Sequence, residues 1–209
     1  IDACRTPRGI GKPGKGALSH LHPQHLAATV LKAIKDRNNL DTSTVDDIIW
    51  STSSQNGKQG GDMGRMAALA AGYDISASGM TLDRFCGGRI TSVNLAAATV
   101  MSGMEDCVIA GGTEMMSFTS AYGAELANAG VKPLGMGSGN AALDAIHPQS
   151  HQGICGDAIA SMEGITREEL DALALSSQEK AARAIREGRF DHSVVTVYNE
   201  DGTVALDHE

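Results

Sequence analysis

The feature that most constrains the fold is an alternation of short apolar segments with helical patterns along the first half of the 209-residue chain. Three segments have the apolar, turn-bounded character of buried strands: residues 46–52 (DDIIWST), 79–82 (GMTL) and 106–110 (DCVIA). Helical patterns precede or separate them, over residues 24–37, 62–71 and 90–102. Because strands separated by helices associate in parallel, the pattern predicts an α/β fold: a mixed, mainly parallel sheet covered by helices on both faces.

Cys86 lies in the run LDRFCGGRI (82–90), where a predicted strand gives way to a helix of small and aliphatic residues. A thiol in the first turn of a helix faces unpaired backbone N–H groups and the positive end of the helix dipole. Both favour the thiolate, which is the nucleophilic form. Gly87 and Gly88 would let a substrate carbonyl approach the backbone closely. Most free cysteines are small core residues, but this position favours a nucleophile.

Charge and composition limit the classes of partner. The chain has 17 Lys and Arg against 25 Asp and Glu, a formal net charge of −8, whereas a nucleic-acid-binding protein carries a basic face. Its seven aromatic residues (one Trp, three Tyr, three Phe) are too few for a base-stacking surface. No apolar run approaches the roughly 20 residues of a membrane span. We therefore expect a soluble, cytoplasmic protein without nucleic-acid or membrane partners, although a leader removed ahead of Ile1 stays possible.

The cysteines and histidines do not form a metal-binding pattern. The four cysteines are widely spaced and include no C-x-x-C pair, so we expect neither structural zinc nor a disulfide framework. His20, His22 and His25 are close in sequence but lack a neighbouring carboxylate or thiolate. We interpret the three histidines as part of a polar connection and predict no metal.

The pattern changes after residue 116. Residues 117–152 are rich in Gly, Ala, Ser and Met and show no convincing periodicity. This composition predicts an ordered, packed segment without regular secondary structure. Thr166 and Glu169 then have the spacing of a capping box, and the helix that follows is predicted to end near Gly188. Residues 194–197 and 203–206 have the character of short strands.

Five short motifs occur in order along the chain: RTP (5–7), CGG (86–88), AGGTEMMS (110–117), SHQG (150–153) and GRF (188–190). Together they resemble the N-terminal part of the thiolases, the family of acetyl-CoA acetyltransferases and 3-ketoacyl-CoA thiolases. The resemblance covers essentially the whole chain. It implies a thiolase-like fold with residues 1–116 as the N-terminal thiolase-fold domain and residues 117–209 as an incomplete loop domain, the second half of the fold being absent from this chain.

The resemblance also implies a chemistry. Cys86 matches the residue that thiolases acylate from an acyl-CoA, for Claisen condensation of acetyl-CoA or for the reverse thiolytic cleavage of a 3-ketoacyl-CoA. His151 matches a CoA-contacting histidine, and Gln152 and Leu143 are expected to line the pantetheine channel. Coenzyme A thioesters would be substrates, so no cofactor is expected. Because members of the family are dimers or tetramers, the resemblance also implies a homodimer or homotetramer. We interpret Glu114 as structural, through hydrogen bonds to loop backbone.

Two positions depart from the family pattern. Asp83 stands where an asparagine is usual, and its charge would raise the pKa of the Cys86 thiol unless Arg84 or Arg89 neutralised it. Arg89 stands where a glycine is expected, and would either assist thiolate formation or obstruct the pocket. The Gly-His and Cys-x-Gly-Gly-Gly motifs of the family's second half do not occur in the chain. We therefore expect part of a thiolase that is catalytically incomplete by itself.

Two alternatives stay open at this point. A ketoacyl synthase-type condensing enzyme would share the fold and the cysteine but would be loaded from a carrier protein, and the motifs at 110–117 and 150–153 favour a thiolase over it. A non-catalytic, thiolase-like acyl-CoA-binding protein would be recognised by steric closure of the pocket around Cys86.

Overall fold

The computed structural model describes residues 1–132 and 137–209. Contacts between residues divide the chain into two compact units, which we describe separately. The first unit comprises Ile1–Ala124 together with Asp191–Glu209, and the second comprises Glu125–Phe190. The domain boundary expected after residue 116 stays a prediction.

A three-stranded parallel sheet forms the centre of the first unit. Its strands are β1 (Asp47–Ser51), β2 (Met80–Leu82) and β3 (Val108–Gly112), in the order β2-β1-β3. Ile49 of β1 is the partner of Met80 on one side and of Ala110 on the other. The helices that connect or precede the strands are α1 (Pro23–Asn38), α2 (Met63–Ala70) and α3 (Gly88–Ser102). Each of these elements agrees with its predicted position to within two residues, and the predicted parallel sheet is confirmed.

Helices cover both faces of this sheet. Ile48 and Trp50 of β1 pack with Leu31 of α1 and Met63 of α2 in the main hydrophobic core, and all four side chains are buried. Successive side chains of a strand point to opposite faces, so Ser51 belongs to the other face, where α3 packs on β1 and β3. The predicted two-sided covering is therefore confirmed.

The prediction that residues 117–152 lack regular structure is wrong. The stretch includes α4 (Met116–Asn128) and α5 (Ala141–Ile146), while residues 133–136 lie outside the described ranges. Phe118, Tyr122 and Leu126 of α4 have the four-residue spacing of one helix face and are partly buried, a periodic signal that sequence reasoning missed. α5 begins after Asn140, whose side chain accepts a hydrogen bond from the Leu143 N–H at 3.2 Å.

Two further helices, α6 (Gln152–Glu163) and α7 (Arg167–Arg186), lie in the second unit. The predicted capping box at the start of α7 is confirmed: the Glu169 N–H donates to Thr166 Oγ1 at 3.2 Å, and the Thr166 N–H donates to Glu169 Oε2 at 2.9 Å. None of the described residues between Glu125 and Phe190 is buried. Local capping, more than side-chain burial, therefore sets where these helices begin.

The last residues of the chain return to the first unit as an antiparallel pair, β4 (Val197–Tyr198) and β5 (Val204–Leu206). Near the start of the chain, Arg5 forms one isolated parallel bridge with Val194. Val197 is completely buried in a second apolar cluster with Leu18, Leu21, Leu26 and Met115. Throughout the described ranges, the helices are too short or too polar to cross a membrane.

Candidate active site

Cys86 lies on a sharp turn between β2 and α3. The turn is a single 3₁₀ segment, Phe85–Gly87, which leads directly into α3 at Gly88. Phe85 has a left-handed backbone (φ 47°), and its N–H donates to Asp83 Oδ1 at 3.1 Å. A non-glycine residue in this conformation costs about 1–3 kcal/mol and persists only where its surroundings enforce it. The predicted placement of the thiol at the junction of a strand and a helix is confirmed, and the thiol is exposed.

A cavity of about 300 Å³ lies beside Cys86. Three segments contribute its lining: the turn and first helical residues, the end of β1, and the residues after β3. The lining side chains are Phe85, Cys86, Arg89, Ser51, Thr52, Ser53, Glu114 and Met116. All three segments lie at the carboxyl ends of parallel strands or at the start of the following helix, the edge of an α/β sheet where ligands bind. The arrangement brings a thiol next to hydroxyl groups and a carboxylate.

Close contact between α3 and β1 fixes the position of the turn. A Cβ atom at Gly88 would lie 1.8 Å from Ser51 Oγ and 3.0 Å from Ser51 Cβ. One turn further along the helix, the completely buried Ser92 donates to the Gly111 carbonyl at 2.9 Å. Since only a glycine fits at residue 88, the helix start that carries Cys86 lies directly against the end of the central strand.

A polar network joins the two other walls of the cavity. Glu114 Oε2 accepts hydrogen bonds from the Ser53 N–H at 2.7 Å, from the Ser53 hydroxyl, and from the Thr52 hydroxyl at 3.4 Å. Its Oε1 atom accepts from Gln59 Nε2 at 3.1 Å. The predicted structural role of Glu114, hydrogen bonding to loop backbone, is confirmed. Because donors surround both carboxylate oxygens, this charge is compensated without a cation.

The two arginines next to the turn are engaged by neutral partners. Arg89 Nε donates to the Gly112 carbonyl at 3.3 Å, and Arg84 Nη1 donates to Thr91 Oγ1 at 3.4 Å. Neither arginine forms an ion pair with Asp83 in the part of the chain that the structure describes. Arg89 lines the cavity, and Cys86 remains exposed beside it. The usual asparagine and the aspartate found here both offer an oxygen to the Phe85 N–H, so the turn tolerates either residue.

Burial distinguishes Cys86 from two of the other cysteines. Cys4 and Cys107 are partly buried, and burial raises the pKa of each of these thiols. A raised pKa reduces the thiolate fraction and therefore the reactivity. Cys155 is exposed like Cys86 and is the fourth residue of α6.

The other predicted site residues lie in the second unit. His151 is the N-cap of α6: its Nδ1 atom accepts from the Gly153 N–H at 3.1 Å, so the neutral ring carries its proton on Nε2. Gln152 is the first residue of α6 and is exposed. Leu143 lies in α5 and is partly buried. The structure brings His151 and Gln152 together at one helix start, and the contact of these three residues with CoA stays a prediction.

The histidine-rich segment behaves as a polar connection. His20 Nε2 lies 2.7 Å from Asn199 Oδ1, beside a shallow hollow of about 450 Å³, and His25 Nε2 lies 2.8 Å from the Tyr198 carbonyl. Across the described ranges, no three His, Cys, Asp or Glu side chains are grouped so that they could hold a metal ion. The hollow is larger than the Cys86 cavity, but no cysteine lines it.

Sequence reasoning missed the hydroxyl-rich wall at Thr52 and Ser53 and the buried Gln59 behind it. A signal was present: the run STSS (51–54) covers the end of a predicted buried strand and the two residues after it, at the carboxyl edge of a parallel sheet. The partners of these hydroxyls lie about sixty residues further along the chain, at Glu114, and no local pattern connects the two segments.

Fold and site together define an α/β protein with an exposed cysteine at a strand-to-helix turn, on the edge of a parallel sheet where covalent catalysis by a thiolate is possible. The family model described as "Thiolase, N-terminal domain" matches residues 1–209. The chain therefore belongs to the thiolase family, an acyltransferase family.

Individual relatives agree with this assignment. The chain is 34% identical over 212 residues to the steroid 3-ketoacyl-CoA thiolase FadA6 of Mycobacterium tuberculosis, covering 99% of this chain and 51% of that protein. It is 32% identical to a 3-ketoacyl-CoA thiolase of Psychrobacter cryohalolentis, covering 96% and 48%. The dimeric peroxisomal thiolase of Saccharomyces cerevisiae superposes with a TM-score of 0.83 at 25% identity, covering all of this chain and 52% of that one. The chain thus spans about half the length of the relatives it matches.

Proposed function

We propose that this chain supplies the nucleophile of a thiolase, an acyl-CoA acyltransferase that works through an acylated cysteine. The Cys86 thiolate attacks the keto carbon, C3, of a 3-ketoacyl-CoA. The bond between C3 and the methylene carbon C2 then breaks. The methylene carbon takes a proton and leaves in acetyl-CoA, while the shortened acyl group stays on sulfur. The thiol of a second CoA then takes the acyl group. The reverse sequence is a Claisen condensation.

The observation that carries the proposal is the position of Cys86. Its thiol is exposed beside a cavity of about 300 Å³, in the turn that leads directly into the 15-residue helix α3. The names of the related 3-ketoacyl-CoA thiolases support the substrate class. Because the chain spans about half of those relatives, the proposal concerns turnover by the protein at its natural length.

CoA recognition is the second part of the proposal. His151, Gln152 and Leu143 would contact the pantetheine arm, with the Nε2–H of His151 available as a donor. The substrates are CoA thioesters, and no separate cofactor is required for the chemistry. The cytoplasmic location expected from composition stays a prediction that cell fractionation would test.

The test is mass spectrometry of the natural-length protein after brief incubation with acetyl-CoA or acetoacetyl-CoA, with peptide mapping. We expect one acetyl group on the peptide that contains Cys86. The Cys86→Ser variant should remain unlabelled, and the matched Cys155→Ser variant, which also loses an exposed thiol, should be labelled normally. An unlabelled Cys86 that is also inert to iodoacetamide would exclude the enzyme and leave an acyl-CoA-binding protein.

The two alternatives gain no support from the site. Closure of the cavity around Cys86, the signature of a non-catalytic relative, is not found among the described residues, since the thiol is exposed. Loading from a carrier protein would be the mark of a ketoacyl synthase-type enzyme, and replacing the CoA thioester by an acyl carrier protein in the same labelling experiment distinguishes it.

A further inference from the structure

Gln59 is a buried amide that connects the walls of the Cys86 cavity from behind. It ends a short 3₁₀ segment, Gly57–Gln59, and its side chain is completely buried. Its Nε2 group lies 3.0 Å from Thr52 Oγ1, 3.0 Å from the Ser54 carbonyl and 3.1 Å from Glu114 Oε1. Its Oε1 atom accepts from the Met115 N–H at 2.8 Å. One side chain thus links the segment after β1 with the segment after β3.

Glu114 completes the connection from the cavity side. It accepts hydrogen bonds from the Ser53 N–H and the Ser53 hydroxyl. The Thr52 hydroxyl accepts a hydrogen bond from Gln59 Nε2 and donates one to Glu114 Oε2. The hydroxyl groups of Thr52 and Ser53 therefore both donate to the Glu114 carboxylate. Both residues line the cavity that Cys86 shares, so their orientation is part of the surface that a substrate meets.

From this geometry we infer that Gln59 and Glu114 are positioning residues for the reaction of Cys86. They fix the wall at residues 52–53 relative to the turn that carries the thiol, and so fix where an acyl group can lie. This rests on the proposed function. Displacing a reacting group by about 1 Å can reduce a rate about a hundredfold. The wall lies just beyond the end of β1: the Thr52 N–H still donates to the Leu82 carbonyl at 3.2 Å, whereas the Ser53 N–H donates to the Glu114 side chain.

The test uses isosteric exchanges that break and then restore the pairing. Gln59→Glu places a second carboxylate beside Glu114 and removes the Nε2 donor. Glu114→Gln sets two NH₂ groups against each other. The double variant Gln59→Glu/Glu114→Gln again pairs one amide with one carboxylate and keeps an acceptor for the Met115 N–H. The Ser54 carbonyl loses its donor in this variant, so the restoration we expect is partial. Gln55→Glu, an exposed position in the same loop, is the control with the same charge change.

Two measurements on the natural-length protein need no turnover. The first is the rate at which iodoacetamide alkylates Cys86. The second is the concentration of acetylcarba(dethia)-CoA that halves this rate; this analogue has a methylene group in place of the thioester sulfur and cannot transfer its acyl group. We expect each single variant to raise the half-protecting concentration about tenfold, the effect of one unsatisfied buried polar group. The alkylation rate without the analogue should stay within about twofold, because neither residue bonds to the thiol.

Restoration of protection in the double variant, with Gln55→Glu unchanged, would support the positioning role. Equal protection in all variants would overturn the positioning role. The role would also be overturned if protection were lost only in variants with a lowered melting temperature and the double variant did not restore it. Protection without acyl transfer from acetyl-CoA would overturn the proposed function alone. The absence of any protection in the unsubstituted protein would overturn both.

Discussion

At Gly88 a missing side chain decides the geometry of the site. The backbone there is ordinary right-handed helix, with φ −58°, so conformational freedom is not what the position requires. What matters is space, since Ser51 Oγ occupies the volume that a Cβ atom would need. The neighbouring Gly87 has no atom within 4 Å of a Cβ position. Packing therefore requires a glycine at residue 88 and does not require one at residue 87.

We predict that Gly88→Ala destabilises the protein by about 1–3 kcal/mol, the usual range for overpacking. Urea unfolding followed by circular dichroism would measure the change. The matched substitution Gly87→Ala meets open space and should alter the free energy of unfolding by no more than about 0.5 kcal/mol. Equal effects of the two substitutions would contradict the close contact between α3 and β1.

The beginnings of β1 and β3 are tied together by one carboxylate. Asp46 Oδ2 accepts hydrogen bonds from the backbone N–H groups of Cys107 at 2.9 Å and Asp106 at 2.8 Å. These bonds, that of Cys107 first, lower the pKa of the Asp46 carboxyl below its usual range. A carboxyl with a lowered folded-state pKa stabilises the fold above its unfolded pKa of about 3.9, and this stabilisation is lost as the pH falls through the folded value.

We therefore predict that Asp46→Asn weakens the acid sensitivity of the fold. The free energy of unfolding, measured in urea at pH values from neutral to well below the usual Asp pKa, should fall less steeply for the variant than for the unsubstituted protein. Asp46 precedes the sheet and does not touch Cys86, so the iodoacetamide reaction of Cys86 at neutral pH should be unchanged. Identical pH profiles for the two proteins would contradict the role of the carboxylate.

The first turn of α7 depends on its capping box. Thr166 and Glu169 exchange two backbone–side-chain hydrogen bonds at a helix that has no buried residue to anchor it. We predict that Thr166→Ala destabilises this turn by about 0.5–2 kcal/mol. Faster hydrogen exchange should follow at the Glu169 and Leu170 amides, which bond to Thr166. The substitution Thr119→Ala in α4 removes a hydroxyl of similar type from a helix interior and should leave exchange in α7 unchanged.

At the scale of the whole molecule, the exposed apolar surface stands out. Large apolar side chains of α3 and the turn after it are mostly exposed, among them Ile90 (70%), Met101 (87%) and Met104 (77%). Contiguous apolar surface on a folded protein is typical of contact with other protein surfaces. The yeast thiolase of similar structure is dimeric.

We predict a homodimer or homotetramer for the natural-length protein. Size-exclusion chromatography with light scattering over a range of concentrations measures the mass directly. A monomeric mass at every concentration would contradict the prediction. High salt should not dissociate the assembly if apolar surface holds it together, since screening weakens charge pairs and not hydrophobic contact.

The sequence alone predicted the parallel sheet, its covering helices, the capping box and the position of a cysteine between a strand and a helix. Each of these depends on residues close together in the chain: a strand is a short apolar run, a cap is a four-residue pattern, and the site of Cys86 is the junction of two adjacent elements. The helix α4 was missed because the small residues Ser, Ala and Gly dominate its sequence and obscure the four-residue spacing of Phe118, Tyr122 and Leu126.

Tertiary structure decided what surrounds Cys86. The parallel register of β1 and β3 brings Ser53 within 2.7 Å of Glu114, sixty-one residues away, and places the buried Gln59 between the two segments. The packing of α3 against β1 also explains why residue 88 is a glycine, since a Cβ atom there would overlap Ser51. Local patterns carry no information about such pairings, because the pairing of distant segments is set by how strands align in a sheet. The sequence by itself determined the nucleophile candidate, and only the packed sheet determined its cavity.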